Sequence, residues 1–226
     1  MAYVFSDQQS FLSTLLGDSN VDSSSMFGTT QRQREINNGE IQFAVDGRHL
    51  REYATGTVAS KQIAVPSDWL GTYVLTVNNK VITNDREISL TDWERYQDWG
   101  GDDPYYYFWE FSGTRYIKLL GSSNVNTYTY QLFYWKRPTT LLSSDSDTSI
   151  HPEEYRKAPV YYAASELMKQ IAKYDQADKF YQSYAEYVAK ANYFVEKTFI
   201  NKEYARPDFG DVDQSTTDVQ GQGYIW

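Results

Sequence analysis

The chain has no cysteine and only two histidines among its 226 residues. The first absence removes disulfides and thiolate chemistry, although it does not name a compartment. The second leaves too few imidazoles for a metal centre. His49 in "DGRHLREY" and His151 in "SIHPEEY" have no second ligand at local spacing, and a site needs several converging ones. Both are expected at a surface, turn or interface. Basic side chains are also in deficit, 21 against 30 acidic for a formal charge of -9, which argues against a broad surface that grips a phosphate backbone. The same balance suits a passage along which DNA slides without sticking. No basic segment leads into a long apolar run near the start, and no stretch approaches the roughly 20 apolar residues that span a bilayer. Neither membrane spanning nor secretion by that route is expected.

Catalytic signatures are missing as well. There is no G-x-S-x-G, no G-x-x-x-x-G-K-[ST] and no G-x-G-x-x-G. The run "SSDSDTS" alternates Asp145 and Asp147 but lacks the glycine and distant glutamate of a calcium loop, so it reads as a solvated linker. "GQG" at Gly221 to Gly223 lies in a polar tail rather than after a strand, and no carboxylate pair is singled out for glycoside hydrolysis. The expectation is a non-enzyme without metal or cofactor. Arg32, Arg34, Arg48 and Arg51 form a loose basic cluster. On a helix Arg32 and Arg34 point about 200° apart, so ion pairing within the fold is expected ahead of phosphate contact.

What the chain has in plenty is aromatic side chains: 21 tyrosines, 11 phenylalanines and 6 tryptophans. These fill a sandwich core, stack on sugars or anchor an interface. "DQQSFLSTLLG" places Phe11, Leu12, Leu15 and Leu16 on a helical face that ends at Gly17. A longer helix begins near Thr29 or Thr30, with Ile36, Ile41, Phe43, Ala44 and Val45 as inward positions and Gly39 as a kink or packing point. From about Thr55 the period changes to strands, with "SKQIAVPSDW", then "TYVLTVNNKVI" as two strands joined at Asn78 and Asn79, then "YYYFWEFSGTRYIKLLG" and "TYTYQLFYWKRP". "SLTDWERYQDWGGDD" reads as a short acidic helical excursion. After the linker, Pro152, Glu153 and Glu154 supply helix N-terminal chemistry, and Pro159 is expected to introduce a break. Val160, Ala163, Ala164, Leu167, Met168 and Ile171 form one stripe, and Phe180, Tyr184, Val188, Ala191 and Val195 a second, with a turn near Tyr174 and Asp175. The fold class is therefore α+β: N- and C-terminal helices form a bundle, and a central antiparallel sheet or sandwich-like insertion lies between them. The units are 1–54, 55–140, 141–200 and an extended tail, 201–226.

Set in order, "REINNGEIQFAV", "IAVPSDW", "YQLFYWKRPTTL", "HPEEYRKAPVYYAASELM" and "DQADKFYQSYAEYVAKANYF" resemble the adaptor, or head-to-tail connector, proteins of tailed bacteriophages from about Thr29 to Phe199. Ile36 and Asn37 look like that family's early-helix "IN", and Pro66 and Asp68 like its strand-ending "P-D". Tyr134, Arg137 and Pro138 look like its "Y-r-P". Pro152 and Glu154 resemble its helix start, Tyr162, Ala163, Ala164 and Leu167 its packing face, and Tyr184 the aromatic of its last helix. One departure is Gly121, where the family often has proline. The resemblance implies a virion protein at the head–tail interface, assembled in the host cytoplasm, that forms a ring of twelve copies. The partners it implies are the portal protein, a downstream tail or neck protein, and genomic DNA passing without sequence-specific binding. Tyr224, Ile225 and Trp226 are expected to anchor the tail on the portal or a neighbouring copy. The alternative is a carbohydrate-binding module using exposed tryptophans among Trp69, Trp93, Trp99, Trp109 and Trp135.

Overall fold

The computed structural model describes residues 3–17, 26–82, 86–89, 92–96, 100–101 and 104–203, with side chains left out at 93–94 and 196–203. Tyr224, Ile225, Trp226 and Trp99 lie outside the described residues. The fold is α+β, with helices from both ends of the chain flanking a central antiparallel β unit.

Helix α1 (Phe5–Leu16) starts where the Asp7 carboxylate accepts the Val4 N–H at 2.9 Å and stops at Gly17, whose φ of 66° is the left-handed cap that glycine adopts without strain. Helix α2 (Thr29–Gly47) buries Ile36, Gly39, Glu40, Phe43, Ala44 and Gly47 on one face. Ile41 is only half-buried and Val45 is exposed, so these two are not the inward positions the sequence pattern proposes. The true stripe includes Gly39 and Glu40, which no hydrophobicity pattern selects.

The β unit is two sheets packed face to face. Strands β1 (Arg51–Thr57), β3 (Trp69–Val77), β4 (Lys80–Ile82) and β7 (Thr129–Lys136) form one sheet in the order β1-β7-β3-β4. Strands β2 (Gln62–Ala64), β5 (Tyr105–Phe111) and β6 (Thr114–Leu120) form the other, in the order β2-β6-β5. Asn78 and Asn79, at φ 54° and 61°, make the tight β3–β4 turn, where successive positive φ values match the strand twist. Val58, Ile63, Leu75, Val77, Tyr106, Ile117, Leu119, Leu132 and Tyr134 close the core between the sheets. Helix α3 (Trp93–Tyr96) is the excursion between β4 and β5.

The chain then returns to the bundle. Glu153–Tyr155 is a 3-10 turn rather than the start of a helix, and α4 (Ala158–Gln170) follows with Pro159 in its first turn. No break occurs there, because the first N–H groups of a helix have no intrahelical acceptor and proline forfeits nothing. Ile171 to Lys173, with Ala172 at φ 59°, turn the chain into α5 (Tyr174–Glu203). Val160, Ala163, Ala164 and Leu167 pack with Phe5, Leu12, Phe27 and Ile36 in one cluster. Phe43, Tyr155, Ala158, Tyr184 and Ala191 form a second. No helix among the described residues is long and apolar enough to cross a membrane.

Candidate functional site

The bundle and the sandwich meet where α2 ends, the linker arrives and β1 begins. Here the structure overturns the surface or turn placement expected for the histidines: His151 is 1% exposed and His49 is half-buried against it. His49 Nε2 lies 2.9 Å from His151 Nδ1, and His151 Nε2 lies 2.9 Å from the Glu40 carbonyl oxygen. A carbonyl only accepts, so His151 carries its proton on Nε2, Nδ1 accepts, and His49 donates from its own Nε2. No local spacing announces this contact, because His151 and Glu40 stand 111 positions apart.

Glu40 completes the network. Its carboxylate accepts from Gln8 Nε2 of α1 at 2.7 Å and from Ser149 Oγ of the linker at 2.7 Å. Arg156 donates from Nε to the His151 carbonyl at 3.0 Å. Four parts of the chain are thus joined by polar groups in a buried place, where each unmet bond is costly. Phe43 is the apolar hub beside them, its ring centroid 4.7 Å from His49, 5.1 Å from His151, 5.8 Å from Tyr155 and 6.0 Å from Tyr184. Burial, reinforced by the neighbouring His49, holds His151 down to about 3, and burial holds His49 down to about 4. Burial pushes the Glu40 carboxyl up, against the hydrogen bonds from Gln8 and Ser149. With His151 buried and His49 half-buried against it, the pair ties the linker to the α2 carbonyl of Glu40.

The residues matched to the adaptor motifs fall in three places. Asn37 reaches from α2 to the linker, donating to the Leu142 carbonyl at 2.9 Å and accepting the Leu142 N–H at 2.7 Å. Ile36, Ala163, Ala164 and Leu167 are fully buried between α1, α2 and α4, and Tyr162 packs against Tyr184 at 5.3 Å. Tyr184 donates to Asp46 Oδ2 at 2.6 Å. At the near end of the sandwich, Tyr134 donates to Asp68 Oδ1 at 3.1 Å, and the Arg137 N–H donates to the Asp68 carbonyl at 2.8 Å. Pro66 accepts the Trp69 N–H there at 3.1 Å, and Pro138 follows directly. Pro152 opens the 3-10 turn that contains Glu154. Each group thus fixes a chain crossing between elements. Replacing Asn37 by alanine removes both bonds to Leu142 and is expected to cost about 2 kcal/mol in chemical denaturation; Asn37→Asp keeps the acceptor but turns a carboxylate oxygen on the Leu142 and Gln33 carbonyls and is expected to cost at least as much.

Three of the four arginines of the basic cluster are engaged within the fold, and Arg48, the left-handed cap of α2, is exposed. Arg32 is buried, donating to the Phe27 carbonyl and to Ser13 Oγ, both at 2.9 Å. Arg34 pairs with Glu35 at 2.7 Å, and the Arg51 guanidinium lies 4.3 Å from the Trp135 ring centroid. Of the tryptophans, Trp69 stacks near Phe108 at 5.4 Å and donates to Thr72, and Trp109 is partly exposed. Among the described residues no group of three or more His, Asp or Glu side chains is placed to hold a metal ion.

Comparison with known proteins adds the last observation. None of the curated proteins matches the chain. A family model described as SU10 adaptor protein matches residues 8–207, a span that takes in the bundle apart from the first three residues of α1, and the whole sandwich. The chain belongs to that family of tailed-phage head-to-tail adaptors, which makes it a structural virion protein of the head–tail interface.

Proposed function

We propose that copies of this protein form a ring between the portal and the tail, twelve by analogy with portal symmetry, which extends the DNA channel and offers the tail its attachment site. The family match over residues 8–207 carries this reading. The architecture supports it: both ends of the chain close one helical bundle, with α1, α2 and the linker tied by buried hydrogen bonds, and the β sandwich stands beside it as a second surface for a partner. Its portal and tail contacts are ordered binding without a reaction, and a cyclic ring requires two different lateral surfaces on each copy. The formal charge of -9 favours DNA passage over adhesion. The glycan alternative has less support, because the Trp135 ring is covered by Arg51 and Trp69 is engaged with Phe108.

The test is an asymmetric electron cryomicroscopy reconstruction of the particle's vertex. A ring of this fold between portal and tail is the expected result, and it also counts the copies. Finding another protein at that position would sink the proposal.

A further inference from the structure

Strand β1 forms one edge of its sheet, and the hydrogen-bond phase of that edge is fixed. The Lys136 N–H donates to the Leu50 carbonyl at 3.0 Å and the Val58 N–H to the Tyr128 carbonyl at 2.9 Å. With Arg51 opposite Trp135 and Thr57 opposite Thr129, the even-numbered residues of β1 bond to β7. The N–H and C=O groups of Tyr53, Thr55 and Thr57 therefore point away from the sheet. On that side the Tyr53 N–H is covered by the carboxylate of its own neighbour Glu52 at 3.3 Å; Thr55 and Thr57 have no partner there among the described residues. The edge has no proline, no lysine and no bulge, the devices that keep edge strands from pairing.

The side chains beside this edge are ordered by type. Arg51 and Tyr53, facing Trp135 and Phe133, make an aromatic end; Thr55 and Thr57, facing Gln131 and Thr129, make a polar end. The chain contains one segment with the complementary order. In "QGQGYIW", Gln220, Gln222, Tyr224 and Trp226 alternate with Gly221, Gly223 and Ile225, so in an extended strand the first four share one face. Run antiparallel to β1, that strand sets Tyr224 opposite Tyr53, Trp226 opposite Arg51, Gln222 opposite Thr55 and Gln220 opposite Thr57. Tyr224 meets Tyr53, the Trp226 ring meets the Arg51 guanidinium and amide meets hydroxyl, while Ile225, Gly223 and Gly221 fall opposite Glu52, Ala54 and Gly56 on the other face.

We propose that residues 220–226 of one copy add as a strand to the β1 edge of the neighbouring copy. The choice of a neighbour as donor rests on the ring reading, and two observations favour it. Helix α5 continues from Ala191, its last buried described residue, to Glu203, about 18 Å of helix that carries the segment off its own body. The residues from Glu203 to Gln220 then reach up to roughly 60 Å. Strand donation also joins two different surfaces, the kind of contact that closes a cyclic ring rather than a two-fold dimer. Glu52 is displaced from the Tyr53 amide as the strand arrives.

The experiment uses the full chain, which has no cysteine of its own. Tyr53→Cys and Tyr224→Cys are made as separate variants, mixed and oxidised. A disulfide-linked pair of chains is expected, because opposed residues in an antiparallel ladder sit within bonding range. Thr57→Cys mixed with Tyr224→Cys is out of register and is expected to cross-link roughly tenfold less. In the double variant Tyr53→Cys/Tyr224→Cys, linked ladders of chains support donation between copies, and a link closed within single chains overturns it. Equal linking at positions 53 and 57, or none at either, overturns the strand register. Thr55→Pro removes an edge N–H that β7 does not use, so the sheet keeps its ladder and the 53–224 link is lost; persistence of the link counts against strand pairing. Rings at the vertex without the cross-link leave the adaptor reading standing and remove this inference. A cross-link in a protein absent from the vertex does the reverse.

Discussion

Replacing Gly39 by alanine is expected to destabilise the protein by about 3 kcal/mol, the opposite sign to helix propensity, which favours alanine over mid-helix glycine by about 1 kcal/mol. A Cβ built on Gly39 falls 2.3 Å from the Pro159 carbonyl oxygen and 2.9 Å from its carbonyl carbon. These are backbone atoms in the first turn of α4, so no side chain can swing aside, and α2 and α4 must separate. Separation loosens the Ile36, Ala163, Ala164 and Leu167 packing that depends on the close crossing, and it shifts Glu40, the next residue, away from Ser149 and His151. Urea denaturation of the wild type and Gly39→Ala measures it directly. An unchanged or raised midpoint would show that the crossing is not the constraint it looks to be. Alanine at Gly28, which has open space around its Cβ position, is the control that separates loss of glycine from loss of contact.

The second large effect is acid destabilisation through His49 and His151. Both are held below the ordinary histidine value of 6.5, to about 4 and about 3, so the folded state resists a proton that the unfolded chain takes up. The stability they support is fully present above pH 6.5 and is lost as pH falls toward the folded values. Each unit of pH within that window removes about 1.4 kcal/mol per histidine, hence about 2 kcal/mol from each between pH 6.5 and pH 5. Glu40 works the other way: its raised carboxyl favours the folded state in acid and offsets part of the loss. The Arg156 charge also lowers His151. Asp147 acts elsewhere. Its carboxyl is held below 3.8 by the Ser143 and Ser144 N–H groups, so its share is lost only at lower pH. Denaturation free energies at pH 7 and pH 5 are expected to differ by several kcal/mol in the wild type, and His49→Gln/His151→Gln is expected to flatten that difference. A wild type equally stable at both values would show that the pair is not sealed from solvent.

The physical theme common to both effects is that this adaptor is held together at crossings. The linker is tied to α2 by Asn37, to α1 by the Phe5 N–H bond to the Asp147 carbonyl at 2.8 Å, and to Glu40 by Ser149.

Local pattern settled a good part of this molecule. Helical periodicity located α1, the Ala163, Ala164 and Leu167 face of α4 and the Tyr184 stripe of α5. The Asn78–Asn79 pair located a hairpin, because two positive φ values in succession suit few other residues. Alternation found β7 and its two bulky faces. Strand β1 escaped, since "REYATGT" has no apolar alternation; its partly buried positions after Arg51 are only Ala54 and Gly56, and its strand character comes from pairing with β7. The tertiary structure alone decided the rest. Whether Gly39 is a defect or a contact depends on where the Pro159 carbonyl lies, and whether His151 is exposed depends on Glu40, His49 and Phe43, which come from other parts of the chain. Periodicity reports which side of an element avoids water. It carries no information about which buried polar group meets which, because that is set by distances between residues a hundred positions apart.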